Sequence, residues 1–140
     1  MKLSIRPGTI LVTTILVSTA VLLPSKAQRS KSSSVERGRY IVESVAMCEQ
    51  CHTQRDEHGN PDRPHWLMGG SMTILPTYAA PVWATREPRL AGAPPGTDEE
   101  IIRLLTTGIS RTGRPPDPPM PPFRMTREDA EAVLAYLRSL

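Results

Sequence analysis

Two cysteines and a histidine stand close together in the first half of the chain. The segment "CEQCH" separates Cys48 from Cys51 by two residues and places His52 directly after the second thiol. Thiols at this spacing can add across the two vinyl groups on one edge of a porphyrin, and the next residue can offer its imidazole to the iron. The pattern C-x-x-C-H is the attachment motif of c-type haem. It predicts one covalent haem c, bound through Cys48 and Cys51, with His52 as an iron ligand.

Other chemistry can use the same residues. A thiol–disulfide redox pair also has the spacing C-x-x-C, but it normally occurs in a βαβ context. A zinc site is a second alternative, with His58 and His65 completing a Cys2His2 set at irregular spacing. A disulfide between Cys48 and Cys51 would close a loop too short to constrain much of the chain. These alternatives stay open, although haem attachment is favoured.

The second chemical feature is a methionine among prolines. The segment "PPDPPMPPF", residues 115–123, surrounds Met120 with six prolines. Prolines fix φ and remove backbone donors, so this segment forms neither a helix nor a central strand. A stiff segment of this kind can hold a thioether over a metal, and His/Met ligation raises the potential of a haem. We predict Met120 as the second iron ligand. The alternatives are a gap-filling role or ligation by another side chain: Met125, Met68, Met72 or a histidine.

The first 27 residues have the composition of a secretory signal. Lys2 and Arg6 precede an uncharged apolar run, Ile10–Leu23, and Ser25–Ala27 offers a small-x-small cleavage site. The run is too short for an ordinary membrane span. We expect export to the periplasm, with membrane association only if the segment is retained as an anchor.

Charge excludes one class of partner. The whole chain carries a net charge of +3, with 17 basic and 14 acidic side chains. Three of the basic residues lie within residues 1–27, so the remainder is balanced. Because a nucleic-acid-binding domain needs a basic surface, we expect no nucleic-acid partner.

Apolar spacing indicates helices and loops. We predict a polar linker at residues 28–34, a helix over residues 34–52, a second over 97–107 with a T-x-x-E capping box, and a third after Thr126. Residues 53–96 are rich in proline and glycine and predict loops. Strand-like alternation is not evident. The predicted fold class is all-α, with helices and proline-rich loops wrapped round the haem in one domain, residues 35–140.

These residues resemble the small mono-haem cytochrome c family, and in particular the cytochrome c domains that serve periplasmic dehydrogenases. The resemblance rests on three segments: "GRYIVESVAMCEQCHT", "TDEEIIRLLTTGISRTGRP" and "PPMPPFRMTREDAEAVLAYLRSL". It implies thioethers at Cys48 and Cys51, with His52 and Met120 as the two iron ligands. It also implies a tight crossing of the first and last helices, with Gly38 against Tyr136.

The middle of the chain departs from the family pattern. "PRLAG", residues 88–92, is similar to the family's G-P-x-L-x-G piece, but Glu87 replaces its first glycine. The resemblance implies that the carbonyl of Pro88 accepts the imidazole N–H of the ligand histidine. By residue type alone, Trp83, Arg86 and Arg89 are candidates to lie beside the haem propionates.

Two filled iron positions leave no place for a substrate, so we expect an electron carrier rather than an enzyme. Its expected partners are redox proteins, a dehydrogenase as donor and a cytochrome or oxidase as acceptor. A haem enzyme or gas sensor with a displaceable sixth ligand is one alternative. A non-haem module that uses the two thiols is another.

Overall fold

The computed structural model describes residues 26–140 of the chain. The elements in this range, in chain order, are α1 Lys26–Tyr40, a π-helical turn Ile41–Val45, α2 Glu49–His52, a 3-10 turn Arg63–His65, β1 Gly70–Ser71, β2 Arg86–Glu87, α3 Asp98–Thr107 and α4 Arg127–Ser139. Residues 1–25 of the predicted signal lie outside the described residues, so export and cleavage stay predictions. Among the helices of residues 26–140, none combines the length and apolar character needed to cross a membrane.

Helix α1 begins before the apolar residues from which the sequence predicts it. The sequence predicts a polar linker at residues 28–34, but the structure continues α1 through this segment. Gly38 is the first helix-weakening residue after Lys26, and serine and lysine are tolerated in an exposed helix. The linker prediction therefore misses the backbone conformation of a segment whose side chains at 30–33 are solvent-exposed.

The first helix does not run unbroken to His52, as the apolar period predicts. After Tyr40 the chain widens into the π-helical turn, where the Ala46 N–H donates to the Ile41 carbonyl at 2.7 Å. Met47 then takes a left-handed conformation with φ of 47°. The new helix α2 begins at Glu49. Because the helix is interrupted here, α2 can orient the "CEQCH" segment independently of the direction of α1.

Gly38 is the point of closest approach between α1 and α4. A Cβ atom at this position would collide with the backbone carbonyl of Ala132 and would lie 2.8 Å from Cβ of Tyr136. Any larger residue would force the two helices apart. The close contact between Gly38 and Tyr136, which the resemblance implies, is therefore present.

Helices α3 and α4 begin as their sequences predict. Thr97 and Glu100 form a reciprocal capping box at the start of α3, and Gly108 ends this helix in a left-handed conformation with φ of 67°. The Thr126 side chain accepts a hydrogen bond from the Asp129 N–H at the start of α4. The predicted capping box and the predicted helix after Thr126 are confirmed.

The described part of the chain is helical with loops, which confirms the all-α prediction. Its two strands are only two residues long and pair antiparallel, Gly70 with Glu87 and Ser71 with Arg86. Most of the buried apolar side chains in residues 26–140 form one cluster, to which the π-helical turn, α3, α4 and the middle loops contribute: Ile41, Val42, Leu67, Ala91, Ile101, Ile102, Leu105, Ala130, Val133, Leu134, Tyr136 and Leu137.

Candidate functional site

The structure brings the predicted ligands to one cavity of about 340 Å³, at the small end of the range for cofactor sites. Cys48, Cys51, His52 and Met120 all line it. Most of the other lining residues are apolar: Ala46, Met47, Met72, Ala84, Pro88, Leu90, Pro94, Pro95, Ile101, Leu104, Leu105, Pro116, Pro119, Pro121, Phe123, Val133 and Leu137. An apolar cavity with two thiols, one imidazole and one thioether on its surface suits a large flat metal complex.

His52 is held in one orientation. Its side chain is buried, and Nδ1 lies 2.8 Å from the carbonyl oxygen of Pro88. Because a carbonyl only accepts hydrogen bonds, Nδ1 carries the proton, and Nε2 is left as the nitrogen available to a metal. Burial lowers the pKa of His52, which favours the neutral imidazole that a metal requires. The resemblance implies this contact with Pro88, while its role at an iron stays a prediction.

Three segments support this histidine, and we call them the proximal wall: residues 51–53, 67–70 and 86–91. The Gly69 N–H donates to the His52 carbonyl at 2.8 Å, and the Leu67 N–H donates to Thr53 Oγ1 at 2.9 Å. The Leu67 carbonyl accepts from the N–H groups of Leu90 and Ala91 at 2.8 and 3.1 Å. The loop around Leu67 thus ties α2 to the segment that carries Pro88.

Close packing in the proximal wall depends on Gly69. Its φ is +71°, and a Cβ atom there would lie 2.6 Å from the carbonyl carbon of Pro88. Only glycine lets the segment of Pro88 approach closely enough to receive the His52 N–H.

The pKa shifts of the two thiols do not favour thiol–disulfide exchange. Both cysteines are free. Burial raises the pKa of Cys48 to about 12, and burial also raises the pKa of Cys51. Redox-active pairs of the type C-x-x-C instead have a thiol with a lowered pKa. The alternative of a non-haem redox module therefore receives no support from the site.

The zinc alternative lacks a ligand set in the described residues. Within residues 26–140 there is no group of three or more histidine, cysteine or acidic side chains arranged to hold a metal ion. His58 and His65 have exposed side chains outside the cavity wall, and His65 Nδ1 instead lies 2.6 Å from an Asp62 carboxylate oxygen.

Residues 115–123, which we call the proline strap, form a second part of the cavity wall: Pro116, Asp117, Pro119, Met120, Pro121 and Phe123 line it. Two backbone hydrogen bonds fix it to the rest of the molecule. The Ala84 N–H donates to the Pro118 carbonyl at 2.8 Å, and beyond the strap the Met125 N–H donates to the Leu105 carbonyl at 3.0 Å. Between these anchors Met120 lines the cavity.

The other methionines divide into two groups. Met68 and Met125 are not in the cavity wall, and Met125 packs against the apolar core. Met47 and Met72 do line the cavity. Met47 directly precedes Cys48 of the attachment motif, next to the segment that carries His52, and its side chain is half exposed. Met72 is thus the methionine that competes with Met120 as a candidate ligand.

Trp83 and Arg89 are candidates by residue type to lie beside the haem propionates, but both lie outside the cavity wall. Trp83 Nε1 donates to the Ile74 carbonyl at 2.9 Å, which occupies its one donor, and Arg89 Nε donates to the Ala91 carbonyl at 2.6 Å. The structure places Arg86 in the wall instead, which makes it the basic candidate for a haem propionate.

Glu87 is a charged residue of the site that sequence reasoning does not identify. The family pattern marks it only as a departure, yet its side chain is buried and lines the cavity. One signal could have found it: an acidic residue directly before the proline whose carbonyl is expected to contact the ligand histidine.

The chain is similar to known proteins. The family model for cytochrome c matches residues 35–140. The cytochrome subunit of fructose dehydrogenase from Gluconobacter japonicus is 27% identical over 114 residues, which cover 74% of this chain and 21% of that protein. A diheme c-type cytochrome from Cereibacter sphaeroides is 51% identical over 35 residues, 25% of this chain and 12% of that protein. The chain thus spans about a fifth or less of the length of these relatives.

Proposed function

The chain belongs to the cytochrome c family, whose activity is haem-based electron transfer, and we propose that it carries one electron on a single covalent haem c in the periplasm. A bound haem c supplies a one-electron Fe(III)/Fe(II) couple. The chain has one C-x-x-C-H motif and two cysteines in all, which supports a single attachment site.

The observation that carries the proposal is the shared cavity of His52 and Met120. In this proposal Cys48 and Cys51 hold the porphyrin edge, while His52 Nε2 and the Met120 sulfur hold the iron. Pro88 orients the imidazole through Nδ1. If His52 and Met120 both bound the iron, no open iron position would remain for a substrate, which favours electron transfer over catalysis.

The remaining wall residues have supporting roles in this proposal. Apolar side chains such as Leu104, Leu105 and Phe123 exclude water from the cavity, and this exclusion helps to set the potential. Arg86 offers a cation for a propionate. The exposed wall at Met47 and Pro121 leaves one side open, where an electron can pass to a weakly docked partner.

We further propose a dehydrogenase as the electron donor and a cytochrome or oxidase as the acceptor. The support is the likeness to the cytochrome subunit of fructose dehydrogenase. Stopped-flow mixing of the oxidised protein with reduced dehydrogenases tests the donor: we expect rapid haem reduction by at least one. If none reduces the haem, this donor class is wrong.

The haem itself is tested by expressing the full chain in a host with c-type haem attachment machinery. We expect haem that stays with the polypeptide after denaturation and acidic organic extraction. The matched control is the double variant Cys48→Ser/Cys51→Ser, from which any haem should be extracted. A folded wild-type protein without haem, or with haem that extracts as readily as from the control, would contradict the proposal.

A further inference from the structure

Glu87 is an acidic side chain in an unusual place. It lies on β2, is only 5% exposed, and lines the cavity beside the predicted haem ligands. Its neighbour Arg86 has the opposite charge and is exposed. Acidic side chains are almost never fully buried unless they are paired.

One oxygen of the Glu87 carboxylate is buried without a protein partner among the described residues. This atom, Oε2, makes no hydrogen bond in residues 26–140. A buried carboxylate without a partner is costly, because it has lost hydration without gaining a compensating charge. Since the backbone of Glu87 pairs with Gly70 whatever its side chain is, strand pairing does not require a carboxylate.

Glu87 lies beside the haem-binding motif. It directly precedes Pro88, whose carbonyl oxygen lies 2.8 Å from Nδ1 of His52. Glu87 lines the same cavity as Cys51 and His52. A charge on Glu87 is therefore close to the proximal side of the cavity.

We propose that Glu87 is a built-in negative charge that favours the ferric over the ferrous state and so lowers the reduction potential of the haem. This inference rests on the proposed function. Reduction adds one electron to the iron, so the haem centre loses one unit of positive charge, and no bond to Glu87 forms or breaks. A fixed anion in the low dielectric of the wall stabilises the more positive, oxidised state. Where the family pattern has glycine, this chain therefore holds a potential-setting charge.

The test is a spectroelectrochemical titration of the haem-loaded protein at neutral pH. Glu87→Gln keeps the shape of the side chain and removes its charge. We expect the ferrous-to-ferric ratio at a fixed applied potential to rise on the order of tenfold, which is about 59 mV for one electron. Glu87→Gly, which restores the family residue, should shift the potential in the same direction, whereas Glu87→Asp should stay close to wild type.

Two matched controls separate this effect from a general change of charge. Glu57→Gln removes the same charge from a side chain that is 87% exposed and should leave the potential unchanged. Arg86→Gln removes a cation from the same wall and should lower the potential.

The proposal is overturned if Glu87→Gln has the wild-type potential or a lower one, or if Glu57→Gln shifts it equally. It is also overturned if both neutral variants fail to retain haem, because the carboxylate would then serve structure. A wild-type protein without haem would instead refute the proposed function.

Discussion

The two sides of the cavity are built in different ways. On the proximal wall, backbone and side-chain hydrogen bonds connect three chain segments behind His52, and both His52 and Thr53 are buried. The proline strap has exposed and half-buried residues and is tied to the rest of the molecule by a bond at Pro118 and another just beyond its end. One side is rigid because it is bonded, and the other because its residues are prolines.

The difference matches what each ligand needs. An imidazole has two nitrogens, and a second hydrogen bond must fix which one faces the metal. A thioether has one donor atom and no proton to place, so it needs a position but not a hydrogen-bonded orientation. The bond from His52 to Pro88 meets the first need, and a stiff strap meets the second. We therefore expect changes in the proximal wall to affect stability and changes in the strap to affect ligand exchange.

The largest expected effect is that of Gly69→Ala. The new Cβ would collide with the backbone at Glu87 and Pro88, and the residue would keep a positive φ. We expect a loss of about 3 kcal/mol or more in the free energy of unfolding, and poor haem loading. Urea denaturation followed by circular dichroism measures this loss.

The matched control is Gly113→Ala. Gly113 has a similar φ of +79°, but a Cβ there meets nothing within 4 Å. Its cost should be the conformational strain alone, about 1 kcal/mol. Equal losses in the two variants would mean that close approach in the proximal wall is unimportant.

A smaller effect is expected from Thr53→Val. This change keeps the shape of a buried side chain but removes the oxygen that accepts the Leu67 N–H. The buried donor is left without a partner, which should lower the free energy of unfolding by about 1–3 kcal/mol. The same substitution at Thr77, which is exposed, serves as the control. If both variants have wild-type unfolding midpoints, the network behind His52 does not stabilise the fold.

A change in the proline strap should affect ligand exchange more than the stability of the fold. Pro121→Ala makes the chain beside Met120 more flexible, but Pro121 is exposed and contributes little to the core. We expect a change in stability below about 1 kcal/mol, and a roughly two- to fivefold faster displacement of the sixth ligand by CO. Stopped-flow absorption measures the rate, with Pro64→Ala in the 3-10 turn, outside the cavity wall, as control. A large loss of stability with an unchanged CO rate would reverse the proposed roles of the two walls.

The smallest effect is expected outside both walls. Arg127 pairs with Glu99 at 3.0 Å and with Glu131 at 2.8 Å, and all three side chains are exposed. Because solvent and salt screen such pairs, Arg127→Ala should leave the unfolding midpoint and the haem spectrum unchanged. A shift as large as that of Thr53→Val would show that surface charge stabilises this molecule as much as the buried network does.

Local rules explain what the sequence could predict. Helix α4 and the caps at Thr97, Gly108 and Thr126 follow from short patterns whose physical causes lie within a few residues. The motif at Cys48–His52 is equally local, since its chemistry sets its spacing. These features need no knowledge of the rest of the fold.

Other features depend on packing that no local pattern encodes. The π-helical turn and the left-handed Met47 interrupt a helix that its apolar period extends to His52. Trp83 and Arg89 have the right residue types for a haem pocket, but neither lines the cavity, and each donates a hydrogen bond to a nearby carbonyl. The burial of Glu87 arises from its pairing with Gly70, seventeen residues earlier in a proline-rich region without apolar periodicity.

The central claim is that His52 and Met120 hold one iron from opposite walls. Absorption spectra of the ferric and ferrous protein test it most directly, measured on wild type, Met120→Ala and, as a matched control, Met72→Ala. The account predicts a low-spin c-type spectrum with a weak red sulfur-to-iron band in wild type and in Met72→Ala. Met120→Ala should lose this band and bind CO. An unchanged spectrum in Met120→Ala, or loss of the band in Met72→Ala alone, would contradict the assignment of the proline strap as the ligand holder.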